Sequence, residues 1–192
     1  MKSLYLVLDM ENDLVHPDGP SGKSPMGALV VSRKILPLTA AAIVKARAAR
    51  VMIGFVRVGF SPDYKECPPN SPVFSPARQN GLFKLGTWGA EIHPDLAVKA
   101  EDIQVVKHRV SPFYSTNLEV QLRAKGIERI YCSGVSTQAV VQATVRDGHD
   151  RDYEMIVLED CCAAHSEAEH ANSIGSLGRF CTITNSQTVV FG

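Results

Sequence analysis

Short apolar runs alternate along this chain with longer segments whose apolar residues recur at helical spacing. The apolar runs predict buried strands over residues 3–8, 51–58, 102–107, 127–132, 153–158 and 181–184, with 189–191 as a further short strand. Helical spacing occupies 29–50, 116–126, 137–148 and 166–177, with a break or a new helix start at Pro37. Because strand and helix alternate throughout, the pattern predicts an α/β fold, a three-layer α/β/α sandwich with a mostly parallel sheet.

The stretch from Ile127 to Gly148 combines a strand, a tight turn and a helix. Gly134 opens the turn, and Ser136 or Thr137 can act as the N-cap of the helix that follows. A helix that begins just past a strand end offers free backbone N–H groups and the positive end of its dipole. The turn is therefore a candidate site for an anion or an oxyanion, although an ordinary βα unit has the same pattern.

Ionisable residues collect at the predicted carboxyl ends of the strands, where ligands bind in parallel α/β sheets. Asp9, Arg57, Lys107, the Gly134 turn and Asp160 all fall there. Asp9 and Lys107 form the most informative pair, because an acid at one strand end can move a proton while a lysine at another orients it. A purely structural ion pair is the alternative interpretation of these two residues.

Residues 59–94 form a long proline-rich segment that predicts a lid, a binding loop or a contact with another subunit. Its length leads us to expect a homo-oligomer. The segment also supplies aromatic side chains that could line a pocket or cover a sheet edge, namely Phe60, Tyr64, Phe74, Phe83 and Trp88.

Composition narrows the possible function classes. The 192 residues suit one domain, 1–192, and 45% of them are apolar. Zero net charge and the absence of a long apolar run argue against nucleic acid and membrane partners. Five cysteines without a framework spacing, and a first strand that follows Met1-Lys2 directly, lead us to expect a cytoplasmic protein. No metal or other cofactor is expected, and His165 and His170 are expected on a solvated helix face.

Several motifs in order resemble the isochorismatase-like, or cysteine hydrolase, superfamily. They are Asp9 in DMENDL, Lys107 before SPFY, GVSTQAVVQATVRDG and VLEDCCAAHS. The resemblance implies a six-stranded parallel sheet flanked by helices and a hydrolase acting on a small-molecule substrate. It also implies a cis peptide bond between Val135 and Ser136.

One departure from the family pattern concerns the nucleophile. The amidase branch of the family resembles this chain in its aspartate and lysine, here Asp9 and Lys107, but it also carries a cysteine in its turn. That position is occupied here by Val140, which has no nucleophile. Isochorismatases also lack the cysteine, and their aspartate protonates a vinyl ether that water then attacks. Glu11 stands where the family often has glutamine, and a second carboxyl near Asp9 would raise one of the two pKa values.

The resemblance implies a hydrolase that works without a cysteine nucleophile, with Asp9 as acid and base and Lys107 as its charge partner. Backbone N–H groups from Ser136 to Val140 would hold an anionic group of the substrate, and Arg57, Trp88 and Tyr114 are weaker pocket candidates. Two alternatives stay open at this point. One is a non-catalytic binding or assembly module, and the other is an amidase that uses another thiol, of which Cys161 and Cys162 are nearest the predicted site edge.

Overall fold

A computed structural model describes residues 1–192, which form one six-stranded sheet and seven α-helices. The elements in chain order are β1 Ser3–Leu8, α1 Asn12–Val15, α2 Pro25–Ser32, α3 Ile35–Ala48, β2 Met52–Val58, α4 Ser75–Asn80, β3 Ile103–Lys107, α5 Leu118–Lys125, β4 Arg129–Val135, α6 Gln142–His149, β5 Glu154–Ala163, α7 Glu167–Leu177 and β6 Thr182–Thr184. Short 3₁₀ turns span Trp88–Ala90 and Pro94–Leu96, and a π-helical turn, Thr137–Val141, leads into α6.

The sheet has the strand order β3-β2-β1-β4-β5-β6, and every neighbouring pair is parallel. This confirms the predicted α/β class and its parallel sheet. The chain builds outward from β1 in one direction and then returns to continue from β4 in the other. The strand order therefore reverses between β1 and β4, and the crevice beyond their carboxyl ends is where such folds bind ligands.

Alternate residues of β1 enter two different cores. Tyr5 and Val7 belong to the core under α2 and α3, whereas Leu4, Leu6 and Leu8 belong to the core under α5, α6 and α7. Side chains of a strand point alternately to the two faces of its sheet, so a strand covered on both faces is apolar throughout. This explains why the sequence SLYLVL is buried at every position.

Two helix starts differ from the sequence prediction. The break in the 29–50 segment lies at Arg33 and Lys34, where Lys34 is left-handed, and Pro37 lies inside the first turn of α3, which tolerates proline. Helix α5 begins at Leu118, two residues after the start of the predicted segment 116–126. Thr116 accepts a hydrogen bond from the Leu118 N–H and not from Glu119, because the helix begins at Leu118. Helix α7 agrees with the predicted segment 166–177, and the Ser166 hydroxyl caps it by accepting a hydrogen bond from the Glu169 N–H at 3.1 Å.

Strand β5 is longer than the sequence predicts, and the carboxyl-end position expected for Asp160 is wrong. Between Cys132 and Gly134 the pairing of β4 with β5 jumps from Val157 to Cys162, so β5 bulges and continues to Ala163. Asp160 lies in this bulge, and its carboxylate accepts hydrogen bonds from the backbone and hydroxyl of Ser186. Residues 189–191 pack into the core without forming a strand.

The proline-rich segment 59–94 packs on its own apolar cluster and on the loop after β1. Its cluster contains Phe60, Tyr64, Phe74 and Phe83. The side chain of Asp13 accepts a hydrogen bond from the Phe83 N–H at 2.7 Å. The segment is therefore fixed over the carboxyl end of the sheet, beside the crevice.

No single helix is long and apolar enough to cross a membrane; the bent pair α2 and α3 reaches that length and composition only when taken together.

Candidate active site

Asp9 and Lys107 form a buried ion pair at the carboxyl edge of the sheet. The Lys107 Nζ lies 2.8 Å from the Asp9 Oδ2, and the exposed fractions of the two side chains are 1% and 6%. Asp9 follows β1 and Lys107 ends β3, so the pair spans the end of β2 between them. The long lysine side chain makes this reach possible. The structure thus brings together the two residues that the sequence ranked first.

Backbone conformation aims Asp9 into this position. Its φ is 54°, in the left-handed region that aspartate adopts more readily than most residues, and its N–H donates to the Val56 carbonyl at 2.8 Å. The Asp9 Oδ1 is buried and has no hydrogen-bond partner within the chain. One carboxylate oxygen is therefore held by Lys107, and the other has no partner within the chain.

A second carboxyl, Glu11, lies in the same buried cluster. It is fully buried, its Oε1 accepts a hydrogen bond from the Val58 N–H at 3.2 Å, and its Oε2 has no partner. Burial raises the pKa of Asp9, because removing the carboxylate from water outweighs the attraction of Lys107. Burial and the charge of Asp9 together hold the pKa of Glu11 well above its ordinary value. Both carboxyls therefore favour their protonated forms more than free carboxyls do.

The turn after β4 passes close to Asp9 and is shaped by Gly134. A Cβ at Gly134 would lie 2.1 Å from the Leu8 carbonyl oxygen, and its φ is 153°, so only glycine lets β4 approach β1 here. The Val135–Ser136 peptide bond is cis, which confirms the sequence expectation. The expected N-cap hydrogen bond of Ser136 is absent, and the backbone N–H groups of Ser136 and Thr137 have no acceptor within the chain.

A cavity of about 500 Å³ opens between the Asp9–Lys107 pair and this turn. Both members of the pair line it, together with Ser136 and Val140. Val140 is buried, so the position that the resemblance assigns to the nucleophile faces the cavity as a branched hydrocarbon. Such a wall can shape a substrate but cannot attack it.

None of the five thiols lines the cavity. Cys132 and Cys162 are fully buried, and burial raises the pKa of both, that of Cys162 to about 12. Burial also raises the pKa of Cys161 far above its ordinary value and that of Cys181 to about 11. Cys67 is buried and its Sγ contacts the Phe74 carbonyl at 3.2 Å. A thiol without access to the cavity and with a raised pKa is a poor nucleophile.

The three weaker pocket candidates lie outside the cavity lining. The Arg57 guanidinium donates to the Ala90 carbonyl at 2.8 Å, which ties β2 to the 59–94 segment. Trp88 packs edge-on against His16 with ring centroids 4.8 Å apart, and Tyr114 is exposed on the loop before α5. Arg57 was proposed because it lies near a strand end and Trp88 because it lies in an aromatic segment. Neither feature of the sequence determines where a side chain points.

Two of the aromatic residues that the sequence offered for a pocket do line the cavity, and other residues that it did not single out complete it. Phe74 and Phe83 supply the aromatic wall in place of Trp88, and Gln138 and His165 form a contact across its rim. The expected solvated position of His170 is wrong. It is buried, it contacts the Thr137 hydroxyl at 2.9 Å, and its other nitrogen lies 3.0 Å from Arg33. The five-residue spacing from His165 gave no signal of these contacts.

Comparison with known proteins supports the architecture. The Isochorismatase domain model matches residues 3–188. An uncharacterized isochorismatase family protein, YecD of Escherichia coli O157:H7, is 36% identical over 137 residues, which cover 69% of each chain. Ureidoacrylate amidohydrolase RutB of Methylorubrum extorquens is 30% identical over 187 residues, covering 91% of this chain and 74% of RutB. N-carbamoylsarcosine amidase of Thermoplasma acidophilum superposes with a TM-score of 0.78 at 25% identity, covering 98% and 99%.

Proposed function

Because this chain belongs to the isochorismatase family of hydrolases, we propose that it hydrolyses a small metabolite at the Asp9–Lys107 site without a cysteine nucleophile. In this proposal Asp9 is the general acid and base, and Lys107 fixes its position and balances its charge. The observation that carries the proposal is the free, buried Oδ1 of Asp9 beside Lys107 at a cavity that no thiol reaches.

The proposed chemistry begins with a proton held by Asp9. For an enol ether, Asp9 gives that proton to the vinyl carbon and the ether-bearing carbon becomes oxocarbenium-like. Water adds to this carbon and returns a proton to the Asp9 carboxylate. The resulting hemiketal collapses to a carbonyl compound and an alcohol, so one water is consumed and the acid is regenerated. The raised pKa of Asp9 supports this role, since a general acid must hold its proton near the working pH.

The turn after β4 would stabilise charge on the substrate. The free N–H groups of Ser136 and Thr137 lie at the start of the helical segment that leads into α6, and Ser136 lines the cavity. Preorganised donors of this kind interact more strongly with developing charge than with the resting substrate. Val140 would limit the space next to the reacting carbon and keep it apolar.

A screen of enol ethers, amides and ureides with the purified protein tests the proposal and separates it from both alternatives. We expect turnover that survives complete reaction of the accessible thiols with iodoacetamide. Loss of activity in parallel with thiol modification would identify a substitute cysteine instead. If the folded protein binds some of these compounds but hydrolyses none of them, the binding module is the correct alternative.

A further inference from the structure

Resting on the proposed function, we infer that His170 is a positioning residue that holds Thr137 and so keeps the turn after β4 in place for a ligand. His170 is a buried imidazole of α7 that the proposed chemistry does not use. The N–H groups of Ser136 and Thr137 in this turn have no acceptor within the chain, and Ser136 lines the cavity. Donors of this kind stabilise developing charge best when they are held in place beforehand.

Thr137 is the point at which His170 reaches the turn. It begins the π-helical turn Thr137–Val141 and is fully buried. Its hydroxyl lies 2.9 Å from the His170 Nδ1, which is the only hydrogen bond of the Thr137 side chain. Ser136, the residue before it, makes no side-chain cap hydrogen bond. Because a π-helical turn departs from regular α-helical hydrogen bonding, a contact from outside the helix can fix where it begins.

Arg33 holds the other side of the imidazole. The His170 Nε2 lies 3.0 Å from the Arg33 Nη2 and 3.3 Å from the Glu159 Oε2. A guanidinium can only donate, so Nε2 accepts from Arg33 and the proton of the neutral ring lies on Nδ1. Glu159 accepts from the same guanidinium nitrogen at 3.1 Å and does not require a proton on Nε2. Nδ1–H then donates to the Thr137 hydroxyl, which gives a directed chain from Arg33 through His170 to Thr137.

Arg33 is itself fixed to the bulge of β5 and to α7. Its Nε donates to the Cys162 carbonyl at 3.2 Å, and its terminal nitrogens lie 3.1 and 3.0 Å from the carboxylates of Glu159 and Glu167. Arg33 is the C-cap of α2, and Met26 of α2 lines the cavity. The same guanidinium therefore connects the cavity wall formed by α2 with the turn that follows β4.

The surroundings of His170 favour its neutral form. Burial lowers the pKa of His170, and the positive charge of Arg33 lowers it further, against the opposing effect of the Glu159 and Glu167 carboxylates. These three charged side chains surround the ring on the side of Nε2. Protonation would place a hydrogen on Nε2 facing the Arg33 guanidinium and would break that contact. The turn should therefore be held firmly only while His170 is neutral.

NMR spectroscopy of the isotopically labelled protein tests this hydrogen-bonded chain without a ligand. The neutral imidazole of His170 should show a protonated Nδ1 and an unprotonated Nε2. As the pH falls below the ordinary histidine pKa of 6.5 and the ring takes up a second proton, the Ser136 and Thr137 amide signals should broaden from conformational exchange. A ring that only fills space requires no particular tautomer. Observation of the Nε2–H tautomer would overturn the inference.

Two replacements of His170 separate its two contacts. His170→Asn places an amide nitrogen near the position of Nδ1 and keeps a donor for Thr137, whereas His170→Gln extends toward Arg33 and loses that donor. Thr137→Val removes the hydroxyl from the other side. We expect the Ser136 amide signal to broaden in His170→Gln and Thr137→Val and to stay sharp in His170→Asn. Thr39→Val is the matched control and should leave the turn unchanged, because Thr39 is equally buried and its hydroxyl has no partner.

Kinetics on any panel compound that the parent protein hydrolyses provide the second measurement. His170→Gln and Thr137→Val should lower kcat by about 10–100-fold with little change in KM, since misplaced donors fail to stabilise charge that develops in the transition state. His170→Asn should recover most of kcat, and Thr39→Val should retain it. Equal losses in the asparagine and glutamine variants would show that His170 has a structural role only and would overturn the inference.

The two measurements distinguish this inference from the proposed function. Parent kcat in a folded His170→Gln protein whose Ser136 amide stays sharp would overturn the inference and leave hydrolysis in place. A broadened Ser136 amide in that variant, with no hydrolysis of any compound by the parent protein, would support the role of His170 and overturn the proposed hydrolysis. If His170→Gln does not fold, Thr137→Val and the tautomer of the parent protein decide the outcome.

Discussion

At the scale of single residues, the site depends on how Asp9, Glu11 and Lys107 share charge. The cluster contains two carboxyls and one ammonium in a region removed from water. Asp9 touches the cavity, whereas Glu11 does not line it. In the proposed mechanism the two acids therefore have different positions, with Asp9 facing the ligand beside Lys107 and Glu11 buried behind it with its pKa well above the ordinary value.

Replacing Glu11 with glutamine should change the pH dependence of stability. The folded-state pKa of Glu11 lies well above its ordinary value of 4.5, so the folded protein binds more protons than the unfolded chain as pH rises past that value. The contribution of Glu11 to the free energy of unfolding is therefore greatest at low pH and decreases as pH rises. We therefore compare the free energy of unfolding of Glu11→Gln with that of the unmodified protein at each pH. We expect this difference to favour Glu11→Gln more at pH 8 than at pH 5.

Urea unfolding at several pH values measures this difference, with Glu128→Gln on the surface as the control for loss of one carboxyl. The assignment would be contradicted if the unmodified protein gained free energy of unfolding relative to Glu11→Gln as the pH rises.

Replacing Val140 with cysteine should create a reactive thiol. The side chains are similar in size, so the cost to stability should be about 1 kcal/mol. The new sulfur would face the cavity beside Lys107 at a helix start, where the thiolate form is favoured. Intact mass after brief treatment with iodoacetamide should show one rapidly added group that the parent protein lacks. A folded variant whose new thiol stays unmodified would place Val140 away from the accessible cavity.

At the scale of elements, the approach of β4 to β1 determines where the turn meets Asp9. Gly134 makes this approach possible, because the Leu8 carbonyl occupies the space a side chain would need. We expect Gly134→Ala to lower the free energy of unfolding by about 2–3 kcal/mol in urea denaturation, through overpacking and an unfavourable φ.

Gly175 in α7 provides the matched control for this substitution. Nothing lies within 4 Å of a Cβ built there, and its backbone is helical. Gly175→Ala should therefore raise stability by about 0.5–1 kcal/mol. A neutral Gly134→Ala together with a stabilising Gly175→Ala would show that β4 has room to move.

The sequence predicts elements and strand ends better than side-chain directions. Asp9 and Lys107 were found because each follows a short apolar run, and parallel strands bring their carboxyl ends to one edge. Of the aromatic residues that the sequence offered for a pocket, Phe74 and Phe83 line the cavity and Trp88 does not. The sequence could not separate them, because the fold of the 59–94 segment depends on Asp13 and on its own apolar cluster. Likewise, the contacts of His170 with Thr137 and Arg33 join distant parts of the chain and leave no periodic signal.

At the scale of the whole molecule, the homo-oligomer remains a prediction. The 59–94 segment packs against its own chain, yet its Val73 and Trp88 side chains are exposed. Tyr114, which follows Lys107 by seven residues in the sequence, is exposed as well. Exposed apolar and aromatic residues of this kind are typical of subunit contacts.

Sedimentation velocity at micromolar concentration tests the oligomer. We expect an oligomer that Trp88→Glu weakens and that Val120→Glu on α5 leaves intact, since a buried charge without a partner disfavours association. A monomer at that concentration would contradict the prediction.

Asp9 is the residue on which the proposed hydrolysis depends, and its isosteric amide gives the most direct test. Asp9→Asn keeps the size of the side chain but can neither donate nor accept the catalytic proton. On any panel compound that the parent protein hydrolyses, we predict that kcat/KM falls by about 10²–10⁴. The variant should stay folded, and Asp160→Asn, in the bulge of β5 and outside the cavity lining, should retain parent activity. Retention of parent kcat/KM by a folded Asp9→Asn protein would contradict the assignment of the site.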